Sequence, residues 1–262
     1  MRRERSIVPH DMTTRKAAPL GATGFAGRRA LVLGGSRGLG AAVAIDLARA
    51  GARVLAVGRN AASLRETARI AEASGAGIET ARGDATKRAS VHSMVRRAGA
   101  IDILVVAAGD YWEGSLARLS ERAWRGLVDS NVTSVLLALQ EALPGMRRRR
   151  YGRILLFGVA GSDTPRAAPR AHAYRALKTA LLTLARSVAV EEAENGITVN
   201  VVLPGVIRTP DLPRGWGSAA PRIPARRLGT PHEVSRAALF LLAEESGYIT
   251  GSALAVSGGF LL

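Results

Sequence analysis

Residues 29–52 read RALVLGGSRGLGAAVAIDLARAGA, and the fold follows from how they divide. Arg29 to Leu33 is a short apolar run that predicts a buried strand. From Ala41 onward, good helix formers recur at helical spacing and predict a helix. Between them lies Gly34-Gly35-Ser36-Arg37-Gly38-Leu39-Gly40, a G-x-x-x-G-x-G loop. Glycines at such a turn permit tight backbone geometry and close approach of a ligand. The helix start offers free N–H groups and a positive dipole end to an anion. Strand, glycine loop and helix in this order predict a phosphate cradle. Gly34-x-Ser36-x-Gly38 also fits a hydrolase nucleophile elbow. That elbow would sit on the first strand, with no HGGG-type loop ahead of it, so the hydrolase reading is set aside.

The second predicted strand, Arg53 to Val57, ends in Gly58-Arg59-Asn60. In dinucleotide folds a carboxylate about 20 residues past the glycine loop binds the ribose 2′-hydroxyl. Here Arg59 falls 19 residues after Gly40 and has no carboxylate beside it in sequence. An arginine pairs with a 2′-phosphate, which a carboxylate would repel. Arg37 can approach the same phosphate, so NADP(H) is favoured over NAD.

Alternation continues to the end of the chain. Helices are predicted over 64–73, 91–98, 121–146, 172–194 and 231–244. Strands are predicted over 77–81, 101–106, 152–157, 197–203 and 253–257. Strands alternating with helices imply an α/β, doubly wound parallel sheet with both faces covered. Ligands then bind beyond the carboxyl ends of the strands, where Arg37, Arg59, Asp84, Gly109, Gly158 and Pro204-Gly205 fall. Tyr174 and Lys178 are one helical turn apart and share a face. A phenol titrates near ~10. A neighbouring cation lowers that value, which suits tyrosine to general acid/base work.

Composition excludes several classes. There is no cysteine, hence no disulfide and no thiol chemistry. No apolar run reaches bilayer-spanning length. No H-E-x-x-H and no carboxylate cluster with metal spacing is present, so no metal is expected. The net charge is +16, yet 34 of the 37 basic residues are arginine, scattered over most segments. That is a composition bias rather than a nucleic-acid surface, and no nucleic acid or membrane partner is expected. In a chain with three lysines, Lys178 stands out, because an amine can lose its proton where a guanidinium cannot. Residues 1–27 read as a basic, flexible leader, with Met12 a second start and no apolar h-region. Within it, Gly21 to Gly27 mimics a nucleotide loop but has no strand before it. Residues 28–262 read as one domain.

Taken together, the chain resembles the classical short-chain dehydrogenase/reductase family. The resemblance rests on Gly34…Gly38-Leu39-Gly40, Asp84, Ala108-Gly109, Asn131-Val132, Tyr174…Lys178, Asn200 to Gly205 with Thr209, Thr250-Gly251 and Gly258-Gly259. It implies a Rossmann-like sheet of seven strands, assembly into dimers or tetramers, and a cytoplasmic enzyme. It implies hydride transfer between NADP(H) and a small carbonyl or alcohol. Tyr174 would give or take the hydroxyl proton, and Lys178 would lower the phenol pKa and hold the nicotinamide ribose. Asn131 would help hold a water in a proton relay. The dinucleotide would rest on Gly34 to Gly40, Ser36 included, with Asp84 and Ala85 at the adenine and Ala108-Gly109 beside it. The backbone from Pro204-Gly205 to Ile207 and Thr209 would meet the nicotinamide carboxamide. Residues 205–226, holding Trp216, would form a lid that is short for the family.

Three departures qualify this. Leu33 stands where threonine is usual, and Val106-Ala107 replaces Asn-Asn. Each lost side-chain hydrogen bond costs ~1 kcal/mol net. The family's serine, which hydrogen-bonds the substrate oxygen, falls on Gly158 or Val159 counted from the strand, and near Gly161 or Ser162 counted back from Tyr174. Removing one such donor costs ~10² to 10³ in rate. Three readings stay open: Ser162 substitutes; reduction proceeds without a serine; or the fold has turned to non-redox chemistry such as cyclisation or elimination, or to NADPH-binding regulation.

Overall fold

The computed structural model describes residues 24–164, 166–210, 212–213 and 215–261. Seven strands build one sheet: β1 (Arg29–Leu33), β2 (Arg53–Gly58), β3 (Ile78–Arg82), β4 (Ile103–Val106), β5 (Gly152–Phe157), β6 (Ile197–Pro204) and β7 (Ala253–Val256). Their order is β3-β2-β1-β4-β5-β6-β7, and every neighbouring pair is parallel. The expected doubly wound, seven-stranded sheet is what forms. The order reverses between β1 and β4, and a crevice opens at such a switch point.

Side chains alternate across the sheet with period two. Leu31, Leu33, Leu104, Val106, Ile154 and Leu156 point to one face. Ala30, Val32, Ile103, Val105, Leu155 and Phe157 point to the other. Both faces are dry, which is why these strands read as continuous apolar runs. The first face is covered by α3 (Arg88–Ala98), α5 (Ser134–Arg149) and α6 (His172–Glu192). The second is covered by α1 (Gly38–Arg49), α2 (Ala61–Glu72) and α7 (Pro231–Leu242). Local chemistry fixes the helix starts. Asn60 caps α2 through the Ser63 N–H, and Thr230 with Glu233 forms a capping box on α7, with Pro231 at its first position. Among the described residues no helix is long and apolar enough to cross a membrane.

Two expectations need correction. The predicted leader runs too far: Phe25 is buried in the core and its N–H donates to the Ala50 carbonyl, so 24–27 is a packed turn. The rest of that leader, 1–23, lies outside the described residues. The predicted helix 121–146 is broken into α4 (Glu121–Val128), a π-helical turn (Asp129–Thr133) and α5. Apolar periodicity runs through such a turn without a visible break, although π turns favour functional sites.

Candidate active site

At the carboxyl end of β1 the chain turns so tightly that side chains are excluded. A Cβ on Gly34, whose φ is +87°, would lie 2.5 Å from the Ala108 nitrogen. A Cβ on Gly40 would overlap the Gly34 carbonyl oxygen. The Gly34 and Gly35 N–H groups both donate to the Val57 carbonyl at 2.9 Å, tying the loop to β2. The Thr67 hydroxyl, on α2, donates to the Ser36 carbonyl at 3.2 Å. No side chain caps α1 and no acid sits in its first turn, so its terminal N–H groups remain available to an anion.

A cleft of about 950 Å³ opens above this loop. The residues expected at the dinucleotide that line it are Gly34, Ser36, Arg37, Gly38, Leu39, Gly40, Arg59, Asp84, Ala85, Ala108, Gly109, Pro204, Gly205, Ile207 and Thr209, with Tyr174 and Lys178; Gly35 does not. Arg59 leaves the end of β2 and pairs with Asp110 at 3.3 Å, both side chains about half exposed. That carboxylate, absent from the neighbourhood of Arg59 in sequence, arrives from beyond β4. Asp84 accepts from the Thr86 N–H at 2.9 Å and the Thr86 hydroxyl at 2.8 Å. Burial pushes its carboxyl up, but the Thr86 bonds and the Arg59 and Lys87 charges outweigh this and hold it below the usual range.

The catalytic candidates meet at the other end of the cleft. Tyr174 and Lys178 lie on α6, and the Lys178 ammonium is 5.6 Å from the Tyr174 ring centroid. The ammonium is buried and donates to the Phe157 carbonyl at 2.7 Å. Burial pushes Lys178 down to about 8. Burial also pushes Tyr174 up to about 12, partly offset by the Arg175 cation. The expectation that a neighbouring lysine lowers this phenol is therefore not met in the protein alone: desolvation wins, and the phenol is a neutral proton donor at neutral pH.

Asn131 sits in the π turn and is fully buried. Its amide donates at 3.0 Å to the Asp110 and Leu127 carbonyls, while Oδ1 has no partner. A Cβ on Gly109 would lie 2.7 Å from that Oδ1 and 3.5 Å from the Lys178 nitrogen. The open acceptor and the ammonium thus flank the same point in the loop just beyond β4. Asn131 does not itself line the cleft; it acts from behind Gly109.

The serine region differs from the expectation built on Ser162. Gly158, Val159 and Ala160 line the cleft, and Ser162 does not. Ser162 is 1% exposed, and its hydroxyl faces the Val159 N–H at 3.5 Å. Gly161, with φ +74°, turns the chain so that Ser162 lies behind Gly158. A side chain at Gly158 would require Leu203 on β6 to shift, because a Cβ there would overlap its Cδ2.

Spacing alone missed the mouth of the cleft. Tyr111 packs edge-on against Tyr174, ring centroids 5.0 Å apart, and its hydroxyl donates to Glu113 at 2.9 Å. Burial, then the bond to Glu113, raises its pKa. Arg170 donates to Glu113 at 3.1 Å and Trp216 at 3.4 Å. Glu113 so joins three segments, and Arg170 first, then Tyr111, keeps its carboxyl low against burial. Tyr111 stands two residues past Gly109, the one signal that could have found it.

Comparison with known proteins agrees with this geometry. A family profile described as enoyl-(acyl carrier protein) reductase matches residues 34–261. The 3-oxoacyl-[acyl-carrier-protein] reductase FabG of Escherichia coli is 35% identical over 248 residues, covering 91% of this chain and 99% of the relative. A 2-keto-3-deoxy-L-fuconate dehydrogenase of Xanthomonas campestris is 30% identical, covering 91% and 81%. A 3-oxoacyl (acyl-carrier-protein) reductase from Agrobacterium tumefaciens, solved with NADP bound, superposes with a TM-score of 0.86 at 30% identity, covering 95% of this chain and 100% of that one. With the glycine cradle, the Tyr174–Lys178 pair and the sheet order in place, the chain belongs to the classical short-chain dehydrogenase/reductase family.

Proposed function

We propose that the protein reduces a carbonyl compound to an alcohol with NADPH, or runs the reverse oxidation. The observation that carries this is one cleft lined at one end by an anion cradle with Arg59 and at the other by Tyr174 and Lys178. The residues fit the dinucleotide. The side-chain-free surface at Gly34 and Gly40 suits close backbone approach, the start of α1 suits the pyrophosphate, and Arg59 suits a 2′-phosphate. When bound, NADPH supplies a hydride to the carbonyl carbon. The Tyr174 hydroxyl gives its proton to the oxygen on which negative charge develops. Lys178, anchored on the Phe157 carbonyl, places positive charge beside that phenol as it ionises. Asn131 Oδ1 is an open acceptor for a water that returns the proton. Ser162 serves as a turn residue in this reading, and reduction proceeds without a serine donor.

NADPH consumption with a ketone panel tests this. Tyr174→Phe should abolish turnover, while Ser162→Ala should reduce it by less than about tenfold, against the ~10² to 10³ of a lost oxyanion donor. Unchanged turnover in Tyr174→Phe overturns the acid/base assignment. The carbonyl substrate is a small molecule or a small acyl group; the FabG and fuconate dehydrogenase names differ in whether it is carrier-bound or a free acid. We also read the protein as a cytoplasmic homodimer or homotetramer. Val190 on α6, Leu136 on α5 and Trp124 on α4 are 81%, 42% and 39% exposed, apolar surface that a second copy would cover. Light scattering giving a monomer at micromolar concentration overturns the oligomer reading, and cell fractionation tests the location.

A further inference from the structure

Arg175 follows Tyr174 directly on α6 and lines the same cleft. Its Nη1 is shielded from solvent and has no hydrogen-bond partner. It lies at the turn where Gly161 meets Leu261: a Cβ on Gly161 would be 3.1 Å from Nη1 and 3.0 Å from the Leu261 carbonyl oxygen. Burial acts most strongly on this guanidinium, followed by Arg166, which opposes its charge, with Tyr174 and Asp163 acting weakly in its favour. No carboxylate pairs with it among the described residues. Other arginines around the cleft do have one: Arg59 has Asp110 and Arg170 has Glu113. A buried N–H without an acceptor costs ~1–3 kcal/mol, and more when it carries charge. A guanidinium held this way is matched by a carboxylate, which accepts two parallel N–H bonds.

The dinucleotide's own phosphates do not supply that anion. The Arg175 guanidinium lies beside Gly161 and Leu261, beyond the end of β5, whereas Arg59 leaves β2, three strand positions away in the sheet. The cradle at β1 is two positions away on the same side. Tyr174 and Arg175 both line this end of the cleft, so one small molecule can present its carbonyl to the first and its anion to the second. We propose that Arg175 anchors a carboxylate of the substrate, so that the compound reduced is a short oxo acid rather than an uncharged ketone or a thioester. This rests on the reductase reading above. The carbonyl carbon gains a hydride from NADPH, its oxygen gains the Tyr174 proton, and the carboxylate is unchanged, leaving a hydroxy acid and NADP⁺.

The test compares 2-oxo and 3-oxo carboxylates with their methyl esters, read as the acid-to-ester ratio of kcat/KM. Using the ratio cancels any effect of Arg175 on the Tyr174 phenol, which all substrates share. The parent should prefer at least one acid more than tenfold. Arg175→Gln should cut that preference at least tenfold, and Arg175→Lys, which keeps the cation, should retain part of it. A parent ratio near one, or a ratio unmoved in Arg175→Gln, overturns the proposal. If no carbonyl compound consumes NADPH, the reductase reading fails by itself. The anchor is then judged by calorimetry of the same acids on the NADPH-loaded protein: binding lost in Arg175→Gln upholds it, and no binding, or binding equal in the variant, overturns it.

Discussion

Replacing Lys178 by methionine should stabilise the protein at neutral pH and do so less as pH rises. Burial holds the folded-state amine at about 8 against 10.5 for the open chain. Between those values the unfolded chain binds more protons, so the contribution of Lys178 to stability grows as pH rises from about 8 to 10.5. Below 8 the buried ammonium subtracts ~3 kcal/mol from stability, from 1.36 kcal/mol per pKa unit. Methionine removes that penalty but leaves the Phe157 carbonyl without its donor, at a cost of ~1 kcal/mol. The variant should therefore gain ~2 kcal/mol at pH 7, and the gain should vanish near pH 10. Urea denaturation of both proteins without dinucleotide, at pH 7, 8.5 and 10, reads this directly. The range stops at 10 because Tyr174, raised to about 12, makes stability fall as pH climbs from 10 through 12. Turnover should drop by roughly 10²-fold in the same variant. Parallel stability curves for the two proteins from pH 7 to 10 would refute the buried-ammonium argument.

Gly40→Ala forces the α1 start off the Gly34 carbonyl and should cost about 1–3 kcal/mol in urea unfolding, with NADPH binding weakened at least tenfold by fluorescence titration. Asp110→Asn frees Arg59 from a half-exposed pair and should tighten NADPH roughly two- to fivefold, an effect that shrinks in salt and leaves NADH unmoved. Glu192→Ala removes a fully buried carboxylate held by Arg147 and by Asn195 at 3.1 Å; because Arg147 is half exposed and rehydrates, the loss should be about 1–3 kcal/mol, seen as a lower urea midpoint with unchanged kcat.

The sheet and the dinucleotide half of the cleft were legible because their signals are local. Strands buried on both faces are unbroken apolar runs, and glycines whose Cβ would strike backbone have no substitute. What was illegible depends on three-dimensional context. Asp110 reaches Arg59 only because β4 and β2 both flank β1. The sign of the Tyr174 shift is set by burial, which the i, i+4 spacing to Lys178 does not encode. Ser162 is at a plausible distance in sequence from Tyr174, but the left-handed turn at Gly161 sends it behind the strand. Phe25 reads as part of a leader because a single aromatic carries no period; its place in the core is a tertiary fact.

The wall at Gly158 has an evolutionary and engineering consequence. Leu203, from the adjacent strand, already fills the volume that a side chain at 158 would take, with Leu182 and Ser162 close behind. The two positions are thus one unit of sequence change. Gly158→Ser alone requires the Leu203 methyl to shift, and a smaller residue at 203 alone should open a void. At position 158 a hydroxyl calls for both exchanges together, so the effects of the two substitutions will not add. Val159, which lines the same cleft and already carries a side chain, is instead the position where one exchange could restore a hydroxyl without moving Leu203.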